Sequence, residues 1–134
     1  MAVEQPGFTF SFVAGADLSA AQHLFVKQDS NGNVVKCAGV TDKPIGVLQN
    51  SPANVGTTGQ EAAVMIEGVT KVVAGGTIAV DDLIGTDANG KAVAYVPGTD
   101  TTKYIVGRAL EAASASEVFT MLFSCMSVGG NRGA

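Results

Sequence analysis

Residues 8–12 read Phe8-Thr9-Phe10-Ser11-Phe12, an unbroken alternation of apolar and polar side chains. Successive side chains of a β-strand point to opposite faces, so this pattern predicts a strand with its three phenylalanines on one face. The rest of the chain agrees, because Val, Ile and Thr far outnumber Leu and 17 glycines punctuate short apolar runs. β-Branched side chains pack well on a pleated surface, and glycine favours turns. The sequence therefore predicts an all-β domain.

Short apolar runs continue along the whole chain and are separated by Asn-Gly, Gly-Gly and proline-containing turn signals. Many short strands at this spacing predict a small compact sandwich or barrel. Two stretches, Leu18 to His23 and Ala109 to Ala115, have the composition of a single helical turn, although helices that short are marginal in water. The predicted strands are Leu24 to Gln28, Val34 to Ala38, Ile45 to Gln49, Ala62 to Glu67, Thr70 to Ala74, Ala92 to Val96, Tyr104 to Leu110 and Val118 to Ser124.

An internal repeat is visible between two turn-containing segments. Asp29-Ser30-Asn31-Gly32-Asn33-Val34-Val35 aligns with Asp87-Ala88-Asn89-Gly90-Lys91-Ala92-Val93, and Pro44-Ile45-Gly46-Val47 corresponds loosely to Ile105-Val106-Gly107-Arg108. Upstream, Phe25-Val26 corresponds to Leu83-Ile84, so each copy predicts a strand, an Asn-Gly hairpin and a second strand. Asn-Gly is the favoured pair for a type I′ hairpin turn, in which both central residues have positive φ. Two interpretations stay open: a pseudo-twofold domain built from two related halves, or the coincidence of two common hairpins.

Charge and hydropathy exclude several classes of partner. The 134 residues carry a net charge of −4, and the eight Lys and Arg are scattered along the chain. A nucleic-acid groove or an anionic membrane surface requires a basic stripe. Val118 to Asn131, an apolar run without charge, is too short and too polar to span a bilayer. We therefore expect one domain with neither nucleic acid nor a membrane as its partner.

One segment comes close to a phosphate-binding loop. Gly85 to Ala92 reads GTDANGKA and matches the pattern G-x-x-x-x-G-K-[ST] everywhere except at its last position. The missing hydroxyl is the group that binds Mg²⁺, and Asp87 adds a carboxylate to a loop meant for polyphosphate. The residues that follow predict a strand rather than the required helix. A hairpin turn explains the segment better, and we expect no small-molecule substrate or nucleotide cofactor.

Metal-binding and catalytic patterns are also incomplete. Asp29, Asn31 and Asn33 have the spacing of an EF-hand start, but that loop requires glycine at its sixth position and glutamate at its twelfth. Here those positions are Val34 and Val40. The turn interpretation is favoured, and we expect no metal site.

No set of reactive side chains suits catalysis. His23 is the only histidine, and Asp81-Asp82 is the only adjacent pair of carboxylates, whose side chains would point to opposite faces of a strand. Cys37 and Cys125 each lie within an apolar run and are expected to be small buried hydrophobic residues, with a bridge or a reactive thiol as the alternatives. The sequence thus predicts a protein that is not an enzyme.

From about Ala14 to Ser124 the chain resembles the decoration, or cement, proteins that stud the capsids of tailed bacteriophages. One departure is Asp81, which stands where the family leads us to expect glycine before Asp82. The residues that carry the resemblance are Ala14-Gly15-Ala16-Asp17-Leu18, Phe25-Val26-Lys27, Asn31-Gly32, Ile45-Gly46-Val47-Leu48-Gln49-Asn50, Pro52, Gly59-Gln60-Glu61-Ala62-Ala63-Val64, Gly68-Val69-Thr70-Lys71-Val72, Ile78-Ala79-Val80 and Val106-Gly107-Arg108-Ala109-Leu110-Glu111-Ala112.

The resemblance implies a compact β domain on the outside of an assembled phage head, with no cofactor and no catalytic residue. It also implies the major capsid protein and further copies of the same protein as partners, commonly in a homotrimer, and synthesis in the cytoplasm of a host bacterium. Two alternatives remain: another virion subunit such as a head fibre or tail component, or a β-sandwich module that binds a surface. A carbohydrate-binding module usually exposes aromatic side chains, and this protein has no Trp and two Tyr.

The sequence is expected to divide into an N-terminal arm or first strand (1–13), a single β domain (14–126) and a flexible Gly-rich tail (127–134). The arm concentrates Phe8, Phe10 and Phe12, half of all the phenylalanines. These three side chains are the candidate subunit or capsid contacts. The alternative is that they belong to the core of the first strand.

Overall fold

The computed structural model describes residues 5–52, 60–100, 102–124 and 131–132, with the backbone alone at 5–6 and 131–132. Within these ranges the protein forms strands and no helix, which confirms the all-β prediction and removes the two possible helical turns. It follows that no helix in the described ranges could cross a membrane. The strands are β1 (Gln5–Val13), β2 (Phe25–Gln28), β3 (Val34–Lys36), β4 (Gly46–Leu48), β5 (Glu61–Val73), β6 (Leu83–Thr86), β7 (Ala92–Ala94), β8 (Tyr104–Ile105), β9 (Gly107–Ala109), β10 (Val118–Ser124) and β11 (Asn131–Arg132).

The long strand β5 organises a curled antiparallel half-barrel. The sheet has the order β3-β2-β4-β5-β10-β9-β6-β7, and β1 is added to β5, while β8 pairs separately with β11. Both β1 and β10 pair with Glu67 and Val69, so they lie on opposite edges of β5. Strand β4 pairs with Val64 and Met65, the same residues that β1 pairs with from one edge of β5. Strand β4 must therefore lie along the other edge, which it shares with β10.

Two apolar clusters form the core. Phe25, Cys37 and Val47 come from the first half of the sequence but lie in the C-terminal cluster, so the two halves share a core. Burying a phenylalanine side chain contributes roughly 1.5–3 kcal/mol. The N-terminal cluster contains Ala14, Leu18, Ala21, Leu24, Val26, Val34, Leu48, Ala62 and Val64. The C-terminal cluster contains Phe25, Cys37, Val47, Val72, Ala74, Ile78, Ile84, Ala92, Val106, Ala109, Ala113, Phe119, Met121 and Phe123.

Several predicted boundaries change. Ala62 to Glu67 and Thr70 to Ala74 were expected as two strands, but all of these residues except Ala74 lie in β5, because Gly68 stays within the strand at φ +139°. Tyr104 to Leu110 divides into β8 and β9 at Val106. Strand β6 was not named among the predicted runs, but the repeat implied a strand there through the match of Leu83-Ile84 to Phe25-Val26.

The turn chemistry at the two Asn-Gly pairs also differs from the prediction. Within each Asn-Gly pair the glycine has positive φ, +81° at Gly32 and +76° at Gly90, but the asparagine does not, so the turns are not type I′. Gly32 N–H donates to Asp29 O at 3.1 Å, which makes a type I turn followed by a left-handed glycine. The Asp29 carboxylate also accepts the Asn31 and Asn33 N–H groups, which favours this longer loop.

Corresponding main-chain hydrogen bonds occur in the two halves. They support a relation between the halves, whose pseudo-twofold character stays a prediction. With the N–H donor first, the pairs are Gly15 to Val34 and Gly75 to Ala92, Ile45 to Val26 and Val106 to Ile84, Leu48 to Leu24 and Ala109 to Asp82, and Gln49 to Ala63 and Leu110 to Thr120.

Candidate interaction surface

Strand β1 has an open edge. Ala14 N–H donates to Gln60 O at 2.8 Å in the same register as the rest of the β1–β5 ladder. In an antiparallel ladder, residue pairs that hydrogen-bond to each other alternate with pairs that do not, and the main-chain groups of the second kind point away from the partner strand. The N–H and C=O groups of Thr9, Ser11 and Val13 therefore point away from β5. No strand of the described residues pairs with Thr9 or Ser11, and the open edge ends at Val13, because Ala14 next to it bridges to Val34 of β3.

Large apolar side chains are exposed on the same strand. Phe8 is 70% exposed and Phe10 is 55% exposed, whereas Phe25, Phe119 and Phe123 are fully buried. A single exposed apolar residue is ordinary, but two phenylalanines on one open strand make an unusual surface for an isolated domain. The structure thus places two of the three predicted contact residues on the surface. What they contact stays a prediction.

Phe12 takes a different position and connects this surface to the core. Its partly buried side chain packs against the N-terminal cluster. The rings of Phe10 and Phe12 meet edge to face, with centroids 4.9 Å apart and planes at 61°. Such a pair is favourable beyond its buried area and restricts the orientation of Phe10. Phe12 therefore anchors the strand, and Phe10 extends the apolar face outward.

The surface has a second part that sequence reasoning missed. On β10, Val118 and Leu122 are exposed at 43% and 42%, while Phe119, Met121 and Phe123 are buried. Leu122 pairs with Val69 of β5, two residues from the partner of Phe8. Because every one of these β10 residues is apolar, alternation of hydropathy gave no signal for the outward face.

The near-match to a phosphate loop is a hairpin. Strands β6 and β7 pair antiparallel around it, and no helix follows in the described residues. The Asp87 carboxylate accepts the main-chain N–H groups of Asn89 and Lys91 at 2.8 and 2.9 Å. Those amides are the donors that a phosphate would need. The local geometry therefore serves the turn.

The other candidate groups are separated or occupied. Among the described residues, no three His, Cys, Asp or Glu side chains lie where they could hold one metal ion. The Asp82 carboxylate accepts Ala79 N–H, while Asp81 lies 3.3 Å from Arg108 Nε. Asp81 has φ +75°, the left-handed region that favours glycine, which explains why glycine was expected there.

Cys37 is fully buried, and Cys125 lies outside the described residues. Burial and the neighbouring Asp42 carboxylate raise the pKa of the Cys37 thiol from 9.0 to about 12. The thiolate is the nucleophilic form, so this side chain is chemically inert in the folded protein.

We expect Cys37 to resist iodoacetamide in the native protein at mildly alkaline pH and to react fully in denaturant. The raised pKa also means that the thiol stabilises the fold below pH 9.0, and that this contribution is lost as the pH rises toward about 12. Mass spectrometry of the Cys37 peptide measures the labelled fraction, with the Cys125 peptide read separately. Equal labelling rates for Cys37 with and without denaturant would contradict the burial.

The protein is similar to known proteins both in sequence and in fold. A family model described as phage cement protein matches residues 4–124. The crystal structure of the head fiber gp8.5 N base in bacteriophage phi29 is similar over 87% of this protein and 95% of that one, with a TM-score of 0.62 and 23% identity. At that identity the likeness shows the fold alone. No curated protein matches the sequence.

Proposed function

Because the chain belongs to the phage cement protein family, we propose that it binds the outer surface of an assembled phage head and holds neighbouring capsid subunits together. Family membership makes it a structural component of the virion. The finer assignment, to the outside of the capsid with the major capsid protein as partner, is our proposal. Synthesis in the host cytoplasm is part of the same proposal.

The observation that carries the proposal is the combination of an open strand edge with exposed phenylalanines on β1. An open edge offers main-chain hydrogen bonds to an extended segment of a partner. Phe8 and Phe10 provide apolar area that a partner would remove from water. A clamp between capsid subunits needs both, since hydrogen bonds fix the register and apolar burial supplies most of the affinity.

Self-association would multiply the capsid contacts that β1 can make. We propose a homotrimer, because closed cyclic symmetry presents several copies of β1 toward a shell at once. Several weak contacts then act together and bind far more tightly than one contact alone. Light scattering at increasing concentration tests this oligomeric state, and a monomer at every concentration would exclude the trimer.

Purified protein should bind expanded, undecorated heads and raise the temperature at which they burst. Binding across subunit contacts stabilises the assembled shell over the separated subunits by mass action. Cosedimentation measures binding, and release of packaged DNA on heating measures stability. Heads that neither bind the protein nor gain heat resistance would refute the cement function.

A second candidate is the base of a head fibre, which the fold likeness favours. A fibre base would attach at particular positions on the shell, whereas a cement protein covers equivalent subunit contacts throughout. Cryo-electron microscopy of saturated heads distinguishes the two. Density confined to a few positions, without heat resistance, would favour the fibre.

A further inference from the structure

We propose that Asn31 is a site of spontaneous deamidation and that Asn89, in a turn of the same construction, is protected by the fold. The two sites are Asn31-Gly32 and Asn89-Gly90, the only Asn-Gly pairs in the sequence. The modification is independent of capsid binding. It would convert Asn31 of the exposed turn to aspartate or isoaspartate as the protein ages.

The chemistry requires only the polypeptide and water. The main-chain nitrogen of Gly32 loses its proton and attacks Cγ of Asn31, forming a new bond between these two atoms. The bond from Cγ to the amide nitrogen Nδ2 breaks, and this nitrogen takes up a proton and leaves as ammonia. Water then opens the cyclic imide at either carbonyl, which gives aspartate or isoaspartate. Glycine in the second position favours the reaction because it has no side chain to obstruct the attacking nitrogen.

The two turns match closely in their own hydrogen bonds. Gly32 N–H donates to Asp29 O at 3.1 Å, and Gly90 N–H donates to Asp87 O at 3.3 Å. In each turn the aspartate carboxylate also accepts two further main-chain N–H groups. Each attacking nitrogen is therefore held in a hydrogen bond that must open before reaction. The local turns alone predict similar protection.

Their surroundings differ. Gly32 is exposed, and nothing lies within 4 Å of the position that a β-carbon would occupy there. Gly90 is buried, and its carbonyl accepts Phe25 N–H at 2.8 Å. Phe25 O and Lys36 Cγ lie 3.1 and 3.0 Å from the β-carbon position at Gly90.

Opening these turns therefore has different consequences. Asn31-Gly32 can rearrange at the tip of its hairpin without disturbing another element. Rearrangement of Asn89-Gly90 breaks a hydrogen bond to Phe25, which is fully buried in the C-terminal cluster. Local opening that exposes a buried hydrogen-bonding group is rare compared with fraying of an exposed loop.

The test incubates the native protein at mildly alkaline pH and follows both asparagines by tandem mass spectrometry of tryptic peptides. The same measurement in denaturant gives each site's intrinsic rate, which removes the influence of the differing neighbours. We expect the fold to slow Asn89 at least about tenfold more than Asn31, since Asn89 requires loss of a buried hydrogen bond. Equal slowing at both sites, or greater slowing at Asn31, would overturn the proposal.

An Asn31→Asp variant serves as the reference for the aspartate product and shows how that product affects folding. It should fold normally, because the Asn31 side chain is exposed and the turn is held by main-chain groups and Asp29. As the native unsubstituted protein is incubated, part of its Asn31 peptide should appear at the retention time of the corresponding peptide from this variant. If the native sample contains no modified Asn31 peptide by the time the denatured sample has reacted fully, the proposal is also excluded.

Discussion

Replacing Gly107 with alanine should lower the free energy of unfolding by about 3 kcal/mol, the upper part of the range for an overpacked core position. A β-carbon at Gly107 would overlap the Leu122 carbonyl oxygen and the Met121 methyl group. The carbonyl belongs to the backbone of β10, which pairs with β9 at this point, so side-chain rotation cannot relieve the overlap. The β9–β10 contact would have to separate. Urea unfolding followed by circular dichroism measures the change.

Gly76→Ala is the matched control for this substitution. No atom lies within 4 Å of a β-carbon at Gly76, and its φ is not in the left-handed region. Alanine there should leave the unfolding midpoint nearly unchanged or raise it slightly, since it restricts the unfolded chain. If Gly107→Ala unfolds at the same urea concentration as Gly76→Ala, close approach of β10 does not determine the need for glycine.

The same feature explains part of what the sequence predicted. The aliphatic-Gly pairs Ile45-Gly46 and Val106-Gly107 were recognised as marks of a family without a physical reason. In the structure both glycines lie where the neighbouring strand leaves no room for a side chain. Such close approach depends on which strands become neighbours, and one sequence does not contain that information directly.

Strand prediction succeeded where the composition of a run was sufficient and failed where pairing with other strands decided the outcome. Val118 to Ser124 was predicted with the bounds that the structure has, from its apolar content alone. Separate strands were predicted before and after Gly68, but pairing of Glu67 and Val69 with β1 and β10 keeps β5 continuous through it. Strand β6 was implied by the match of Leu83-Ile84 to Phe25-Val26 and pairs with β7 and β9 in the structure.

The candidate surface was predicted in part. Alternation identified Phe8, Phe10 and Phe12 as one face of a strand, but could not decide between an arm and the core. The decision depends on how far the N-terminal cluster extends, and it ends at Phe12. Phe8 and Phe10 lie beyond it on a strand with one open edge. Their role in binding is the most consequential prediction that follows.

A Phe8→Ser/Phe10→Ser variant should bind undecorated heads at least about a hundredfold more weakly, because burial of two phenylalanines contributes roughly 3 kcal/mol or more. Its unfolding midpoint should change little, since both side chains are largely exposed in the isolated protein. Cosedimentation with heads measures affinity, and urea unfolding measures stability. Val80→Ser is the matched control, because Val80 is 63% exposed outside β1 and should bind normally.

Ser11→Pro separates the contribution of the open edge from that of the side chains. The Ser11 N–H points away from β5, so proline removes a donor available to a partner and leaves the β1–β5 hydrogen bonds intact. Strand addition predicts weaker binding for this variant with Phe8 and Phe10 still in place. Normal binding by Ser11→Pro together with loss in the phenylalanine variant would show docking through side chains alone. Normal binding by Ser11→Pro and by the phenylalanine variant would show that β1 does not contact the capsid. The exposed Val118 and Leu122 of β10 would then be the next surface to test.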